Sequence, residues 1–298
     1  MSLTVLNNPI QSQIPIKRRH PDWLKVKLPS GESYQKVREL VKTAKLHTIC
    51  EEAHCPNIGE CWSAGTATFL ILGEYCTRHC RYCNVKTGKP NGIVDDDEPL
   101  RVAETIKHMG LKYVVITCVT RDDLSDGGAG IFVRMLEESR RLNPQTRIEV
   151  LTSDFHGNLD NVKIVADAKP DVFAHNIECV ERLYPVVRRQ GSYKWALALL
   201  RYVKEIYPEQ LTKSSLILGL GETHDEILTT MKDLRYSGCD IFTMGQYLQP
   251  SKRHHPVMKY YSPSEFLELK AIGLEMGFRY VHSGPLVRSS YHAEKCVE

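Results

Sequence analysis

From residue 68 onward, short apolar runs alternate with longer stretches in which apolar residues return every three or four positions. The runs lie at 68–73, 113–118, 147–152, 171–176, 214–220 and 240–245, with a seventh candidate at 279–283. Runs of this length bounded by turn residues read as buried strands, and the stretches between them read as amphipathic helices. The predicted helices are 100–109, 131–141, 159–168, 193–207, 225–236 and 263–276. Start and stop residues support several of these, as where Ser262-Pro263-Ser264-Glu265 opens the last helix and Gly277 closes it. Regular strand–helix alternation implies parallel pairing through right-handed crossovers. Six such units predict an α/β fold, a partial (β/α)6 barrel of the TIM type, with ligands at the carboxyl ends of its strands. Residues 1–65 read as an N-terminal extension, 66–283 as the barrel, and 284–298 as a C-terminal tail, the two flanking segments covering the barrel mouth.

Composition narrows the function classes. A chain of 298 residues, 42% hydrophobic and 25% charged, can bury a full-sized core. A net charge of +3 gives no argument for nucleic acid or membrane binding. No apolar run approaches a membrane span, and Lys17, Arg18 and Arg19 interrupt the weak apolar stretch that would have to serve as a secretory signal. The expectation is a cytoplasmic protein with neither nucleic acid nor membrane as a partner. The basic run Lys17 to His20 reads as a solvated arm.

Ten cysteines would suit a disulfide framework in a small secreted chain, but six of them fall between positions 50 and 83. Clustered cysteines in a reducing compartment read as metal ligands. Cys50, Cys55 and Cys61 are spaced C-x4-C-x5-C, and Cys76, Cys80 and Cys83 are spaced C-x3-C-x2-C directly after the first predicted strand. Three thiolates on one loop are one fewer than an ordinary iron–sulfur cluster takes, so one iron stays open to a small ligand. Zinc is the alternative, with Cys76, His79, Cys80 and Cys83 closing a tetrahedral site. Cys118, Cys179, Cys239 and Cys296 read as ordinary buried thiols. The glycines at 127, 128 and 130 admit either a close ligand approach or a plain turn. Gly219-Leu220-Gly221 lacks the third glycine of a dinucleotide fingerprint.

The run Cys76-Thr77-Arg78-His79-Cys80-Arg81-Tyr82-Cys83 resembles the signature of the radical S-adenosylmethionine enzymes. With the upstream cysteines, His175-Asn176-Ile177-Glu178, Gly219 to Thr223, Gly245 to Pro250 and the tail Arg288-Ser289-Ser290-Tyr291, the chain resembles the lipoyl synthase family over nearly all its length beyond residue 30. The resemblance implies two 4Fe–4S clusters and S-adenosylmethionine as cofactors. Cys76, Cys80 and Cys83 would hold the cluster that binds S-adenosylmethionine, and Cys50, Cys55, Cys61 and Ser290 an auxiliary cluster that donates sulfur. The implied reaction inserts two sulfur atoms at carbons 6 and 8 of a protein-bound octanoyl-lysine, with Ser290 released as the cluster opens. An alkoxide is a hard ligand on an iron that prefers thiolate, which suits a cluster that must open. Asn176 and Glu178 would meet the ribose hydroxyls or amino group of S-adenosylmethionine, and Arg188 its carboxylate, with the neighbouring Arg189 as the other candidate. The implied partners are an octanoylated lipoyl carrier domain or glycine-cleavage H protein, a flavodoxin- or ferredoxin-type electron donor, and an iron–sulfur carrier for cluster repair. A methylthiolating enzyme of the same superfamily is the nearest rival, but no remaining stretch is long enough for the separate reading domain those enzymes carry.

Overall fold

The computed structural model describes residues 20–26 and 29–297, so Lys17, Arg18 and Arg19 lie outside the described residues, while His20 is exposed. Before the barrel come α1 (Glu32–Thr43), the two-residue β1 (His47–Thr48), α2 (Ile49–Glu52) and α3 (Ile58–Ser63). Seven strands follow: β2 (Thr68–Ile71), β3 (Tyr113–Cys118), β4 (Arg147–Leu151), β5 (Val172–Ala174), β6 (Leu211–Leu218), β7 (Ile241–Gln246) and β8 (Tyr280–Gly284). Between them lie α4 (Glu98–Met109), α5 (Ala129–Leu142), α6 (Leu159–Asp167), the short α7 (Tyr184–Val187), α8 (Tyr193–Ile206), α9 (His224–Tyr236) and α10 (Pro263–Glu275).

All eight strands form one sheet in chain order. β2 to β8 pair in parallel, and β1 adds to the free edge of β2 in the antiparallel sense, with His47 opposite Leu70 and Thr48 opposite Phe69. The sheet does not close, so the architecture is the expected partial barrel, and the seventh candidate strand is a strand. Buried positions in the helices recur at three- and four-residue spacing: α8 turns Tyr193, Ala196, Leu199, Leu200 and Val203 inward. Local chemistry fixes the helix ends. Thr223 with Glu226 and Ser262 with Glu265 form capping boxes, and Gly110 ends α4 in the left-handed conformation.

The structure departs from the pattern reading in two places. β6 begins at Leu211, three residues before the apolar run, because Lys213 is a fully buried strand residue. Its ammonium lies 2.9 and 2.8 Å from the two carboxylate oxygens of Glu149 on β4, and the Tyr113 hydroxyl donates to the same carboxylate at 2.6 Å. β5 stops at Ala174, and the chain continues irregularly through Glu178, which has a positive φ of 65°. After β8 the tail passes from the carboxyl ends of the strands to their amino ends. There Cys296 packs on Val172 and Ile241, and Arg147 Nη1 donates to the Val297 carbonyl at 3.0 Å.

Candidate active site

The loop from Cys76 to Cys83 follows β2 at the carboxyl end of the parallel strands. Arg78 anchors it from below: its buried guanidinium donates to Asp122 at 2.7 and 2.8 Å and to Asp154 at 2.8 Å. Backbone bonds from Cys76 N to Lys86 O and from Arg81 N to Val187 O complete the loop. The three thiols are half-buried and near enough to act on one another. Burial and then the neighbouring thiols raise the pKa of Cys83 to about 12. Cys80 is raised too, chiefly by burial, although the Arg188 charge opposes this.

The second set is carried by α2, the turn after it, and α3. Burial raises Cys50 to about 11, with Cys55 adding to it, while burial followed by Cys50 and Cys55 raises Cys61 to about 12. Cys55 is raised mainly by burial. Each set is therefore a group of crowded thiols whose ionised forms would repel one another, and a bound cationic iron core removes that penalty. Of the residues in and beside the first loop, His79 is exposed. A zinc site would need His79 turned in from solvent to meet the three thiols at tetrahedral contact distance. A cage-shaped cluster spreads its ligands more widely.

A cavity of about 960 Å³ joins the two sets; Cys50, Cys55, Cys61, Cys83 and Ser290 all line it. The tail delivers Ser290 there through long-range bonds. Asn57 Nδ2 donates to the Leu286 carbonyl at 2.7 Å, and the Tyr291 hydroxyl donates to Glu60 at 2.8 Å.

Asn176 and Glu178 also line this cavity. Bonds from Glu178 N to Ser215 O and from Ile217 N to Glu178 O tie the irregular segment to β6. Burial raises the Glu178 carboxyl above its usual range, against the opposing charge of Arg188 and a bond from Asn176. Asn176 Oδ1 is buried without a partner, so a hydroxyl or ammonium donor of a ligand fits it. Arg188 is buried and supports this segment from outside the cavity wall. It donates to the Asn176 carbonyl at 2.7 Å and lies 3.4 Å from His175 Nε2. His175 is held neutral, at about 4, by burial and then by Arg188. Arg189 is exposed and donates to the Pro185 carbonyl.

Sequence reasoning missed three contributors. Tyr82 lines the cavity beside Cys83. Arg288 also lines it, near Cys55 and Glu178. Trp62 lies buried behind Cys50. Their position inside or beside the cysteine and tail motifs was the available signal. The glycine pair at 127 and 128 makes a tight turn: both have positive φ, and a Cβ on Gly128 would meet Leu72 at 2.3 Å.

An open parallel barrel with crowded thiols at the carboxyl ends of its strands fits an iron–sulfur enzyme of the radical S-adenosylmethionine class, and the family comparison places the chain there. Residues 70–234 match the family model of the Radical SAM superfamily. Solved structures agree at the level of fold. Streptococcus suis SuiB bound to the precursor peptide SuiA has a TM-score of 0.55 at 12% identity, covering 76% of this chain and 52% of that one. HydG, a maturase of the [FeFe]-hydrogenase, has a TM-score of 0.54 at 16% identity, covering 89% and 65%. Residues 6–55 match the N-terminal domain of lipoyl synthase of the Radical_SAM family. Lipoyl synthase from Halalkalibacterium halodurans is 56% identical over 280 residues, covering 94% of this chain and 92% of that protein. The Rubrobacter xylanophilus lipoyl synthase is 54% identical over 278 residues, covering 93% and 86%. The chain belongs to the lipoyl synthase family. It is an enzyme, a sulfurtransferase that takes S-adenosylmethionine, a 4Fe–4S cluster binding it, and an auxiliary cluster.

Proposed function

We propose that Cys76, Cys80 and Cys83 hold the cluster that binds S-adenosylmethionine, and that Cys50, Cys55, Cys61 and Ser290 hold the auxiliary, sulfur-donating cluster. The observation that supports this reading is the shared cavity, with the second cysteine set and Ser290 on its wall and Cys83 of the first set facing them. When bound, these groups supply the 5′-deoxyadenosyl radical and the sulfur atoms for carbons 6 and 8 of a protein-bound octanoyl-lysine.

The chain's own residues bind, orient and exclude. Asn176 Oδ1 accepts from a ribose hydroxyl or the amino group of S-adenosylmethionine, and Glu178 faces the same end. Arg188 holds their backbone in place and contributes positive charge toward the methionine carboxylate. The tail from Leu286 to Tyr291 covers the side of the cavity and excludes water from the radical chemistry. In this reading the division of labour follows the chain: extension 1–65 carries the auxiliary cysteines, barrel 66–283 the first cluster, and tail 284–298 the oxygen ligand.

The substrate is an octanoylated protein, either a lipoyl carrier domain or the glycine-cleavage H protein. A carrier with an acidic surface fits the loop Ser251 to His255. Lys252 and Arg253 are exposed there, and His254 Nε2 lies 3.0 Å from the Cys83 carbonyl. Electrons come from a flavodoxin- or ferredoxin-type protein, and an iron–sulfur carrier rebuilds the consumed cluster, both in the cytoplasm. Among the described residues no helix is long and apolar enough to cross a membrane.

Anaerobic incubation of the reconstituted protein with an octanoyl-lysine peptide, reductant and S-adenosylmethionine tests the reading by mass spectrometry. The expected product carries two added sulfur atoms. Iron-loaded protein that cleaves S-adenosylmethionine yet leaves the peptide unthiolated would overturn it.

A further inference from the structure

Trp62 follows Cys61 in α3, and its side chain is fully buried. The ring lies against Tyr34 of α1, with centroids 5.2 Å apart. An indole offers one N–H donor and no acceptor. In Trp62 this donor is buried and completes no hydrogen bond. The indole N–H lies beside the Cys50 thiol of α2. The neighbouring thiol completes no hydrogen bond with it. Buried donors left without a partner are rare, and each calls for an explanation. An iron-bound thiolate, more electron-rich than a thiol, would supply the missing acceptor.

We propose that Trp62 is a positioning residue for the auxiliary cluster: its N–H donates to the Cys50 sulfur once that sulfur binds iron, and raises the cluster's reduction potential. The inference rests on the assignment of Cys50 to the auxiliary set. Hydrogen bonds to ligand sulfurs are among the main controls on the potential of such a centre. The consequence for the reaction follows from electron counting. The bound cluster would supply the sulfide that forms the carbon–sulfur bond with a substrate carbon radical, and its ferric iron would take up the one electron released. A higher potential favours that step, and no further oxidant enters.

The test starts from a chain with Cys76, Cys80 and Cys83 all changed to alanine, so that the auxiliary cluster is the one left. Reductive titration followed by electron paramagnetic resonance gives its midpoint potential with Trp62 and with Trp62→Phe, which keeps a ring and removes the donor. The expected result is a more negative midpoint in Trp62→Phe. Equal midpoints at equal iron content would overturn the proposal. A second measurement leaves Trp62 in place and labels the indole nitrogens with ¹⁵N in the same background. The chain has three tryptophans, and Trp195 packs instead on His156 and Gly157. A ¹⁵N hyperfine coupling to the reduced cluster, lost in Trp62→Phe, is expected, and its absence counts against the proposal. If the background protein assembles no four-iron cluster at all, the assignment of Cys50 fails, and that outcome is distinct from a cluster whose potential ignores Trp62.

Discussion

Gly245→Ala should separate radical generation from sulfur insertion, although Gly245 belongs to neither cysteine set. The residue sits in β7, paired with Ile217 on one side and Gly284 on the other. A Cβ built there would lie 1.9 Å from the Val287 carbonyl oxygen, 2.9 Å from its carbon and 3.1 Å from Arg288 Nη1. The nearest of these atoms is backbone, so no rotamer change relieves the contact. To restore ordinary van der Waals distance, strand and tail must part by more than about 1 Å. β7 is held by hydrogen-bonded ladders on both sides, whereas the tail is held by separate contacts such as Asn57 to Leu286 and Tyr291 to Glu60. The tail therefore yields. Ser290 lies three residues beyond Val287 and moves with it. Overpacking of this kind costs about 1–3 kcal/mol, too little to unfold a barrel and enough to detach a strap. A misplacement of about 1 Å at a reacting centre costs on the order of 10²-fold in rate. The assay follows 5′-deoxyadenosine and thiolated peptide in parallel, with hydrogen exchange across residues 286–296 as the structural readout. The expected result is persistent S-adenosylmethionine cleavage, thiolation down about 10²-fold and faster exchange in the tail. Thiolation at the parent rate with an unchanged tail would refute the reasoning.

Four further outcomes are expected. Changing Cys50, Cys55 and Cys61 to alanine leaves S-adenosylmethionine cleavage and abolishes thiolation, whereas changing Cys76, Cys80 and Cys83 abolishes cleavage and leaves one cluster assembled; iron content and the two product assays check both arms. Ser290→Cys binds both clusters and yields 5′-deoxyadenosine but does not complete two insertions, because a fourth thiolate holds its iron more firmly, and full thiolation by this variant would show that the oxygen ligand is dispensable. Replacing Lys252 and Arg253 with glutamate raises the apparent KM for an intact acidic carrier and not for a short peptide; equal effects on both would remove the docking role of that loop. Lys213→Met leaves Glu149 buried with only the Tyr113 hydroxyl as a partner, so denaturant unfolding should show a loss of about 3–5 kcal/mol, and a shift below about 1 kcal/mol would mean the pair contributes no more than a surface ion pair does.

The period of apolar residues carried most of the barrel, since a strand buried on both faces or a helix buried on one must show it. It failed where burial and apolarity part company. Lys213 looks like the polar approach to a strand and is in fact inside it, neutralised by a carboxylate from β4, 64 residues earlier. The two residues of β1 are too few for any periodicity, and α1, with Val37 and Val41 as its buried positions, gives only a faint one. At the site, cysteine spacing groups the ligand candidates because each set is local in the chain, and the structure puts Cys50, Cys55, Cys61 and Cys83 on one cavity wall. What spacing could not carry is the meeting of the tail with the extension, which joins residues 229 and 231 positions apart. Nor could it carry the use of Arg188, which donates to the backbone carbonyl of Asn176 twelve residues earlier.

The open barrel is itself part of the chemistry. In a closed (β/α)8 barrel, side chains fill the interior and ligands reach only the loops above it. Here the sheet stops at β8, and the tail runs down the molecule from Val287 beside Gly245 to Cys296 against Val172 and Ile241. The same segment that covers the gap presents Ser290 to the cavity, between an upper anchor at Leu286 and a lower one at Val297. A sulfur donor consumed in the reaction needs one ligand that can leave without unfolding the scaffold. If Ser290 is the fourth ligand, as proposed, a serine on a strap anchored on both sides would meet that need, its oxygen moving while Cys50, Cys55 and Cys61 stay in the extension. On the proposed ligation the three thiols would keep the donor in place, and the strap would decide when it opens.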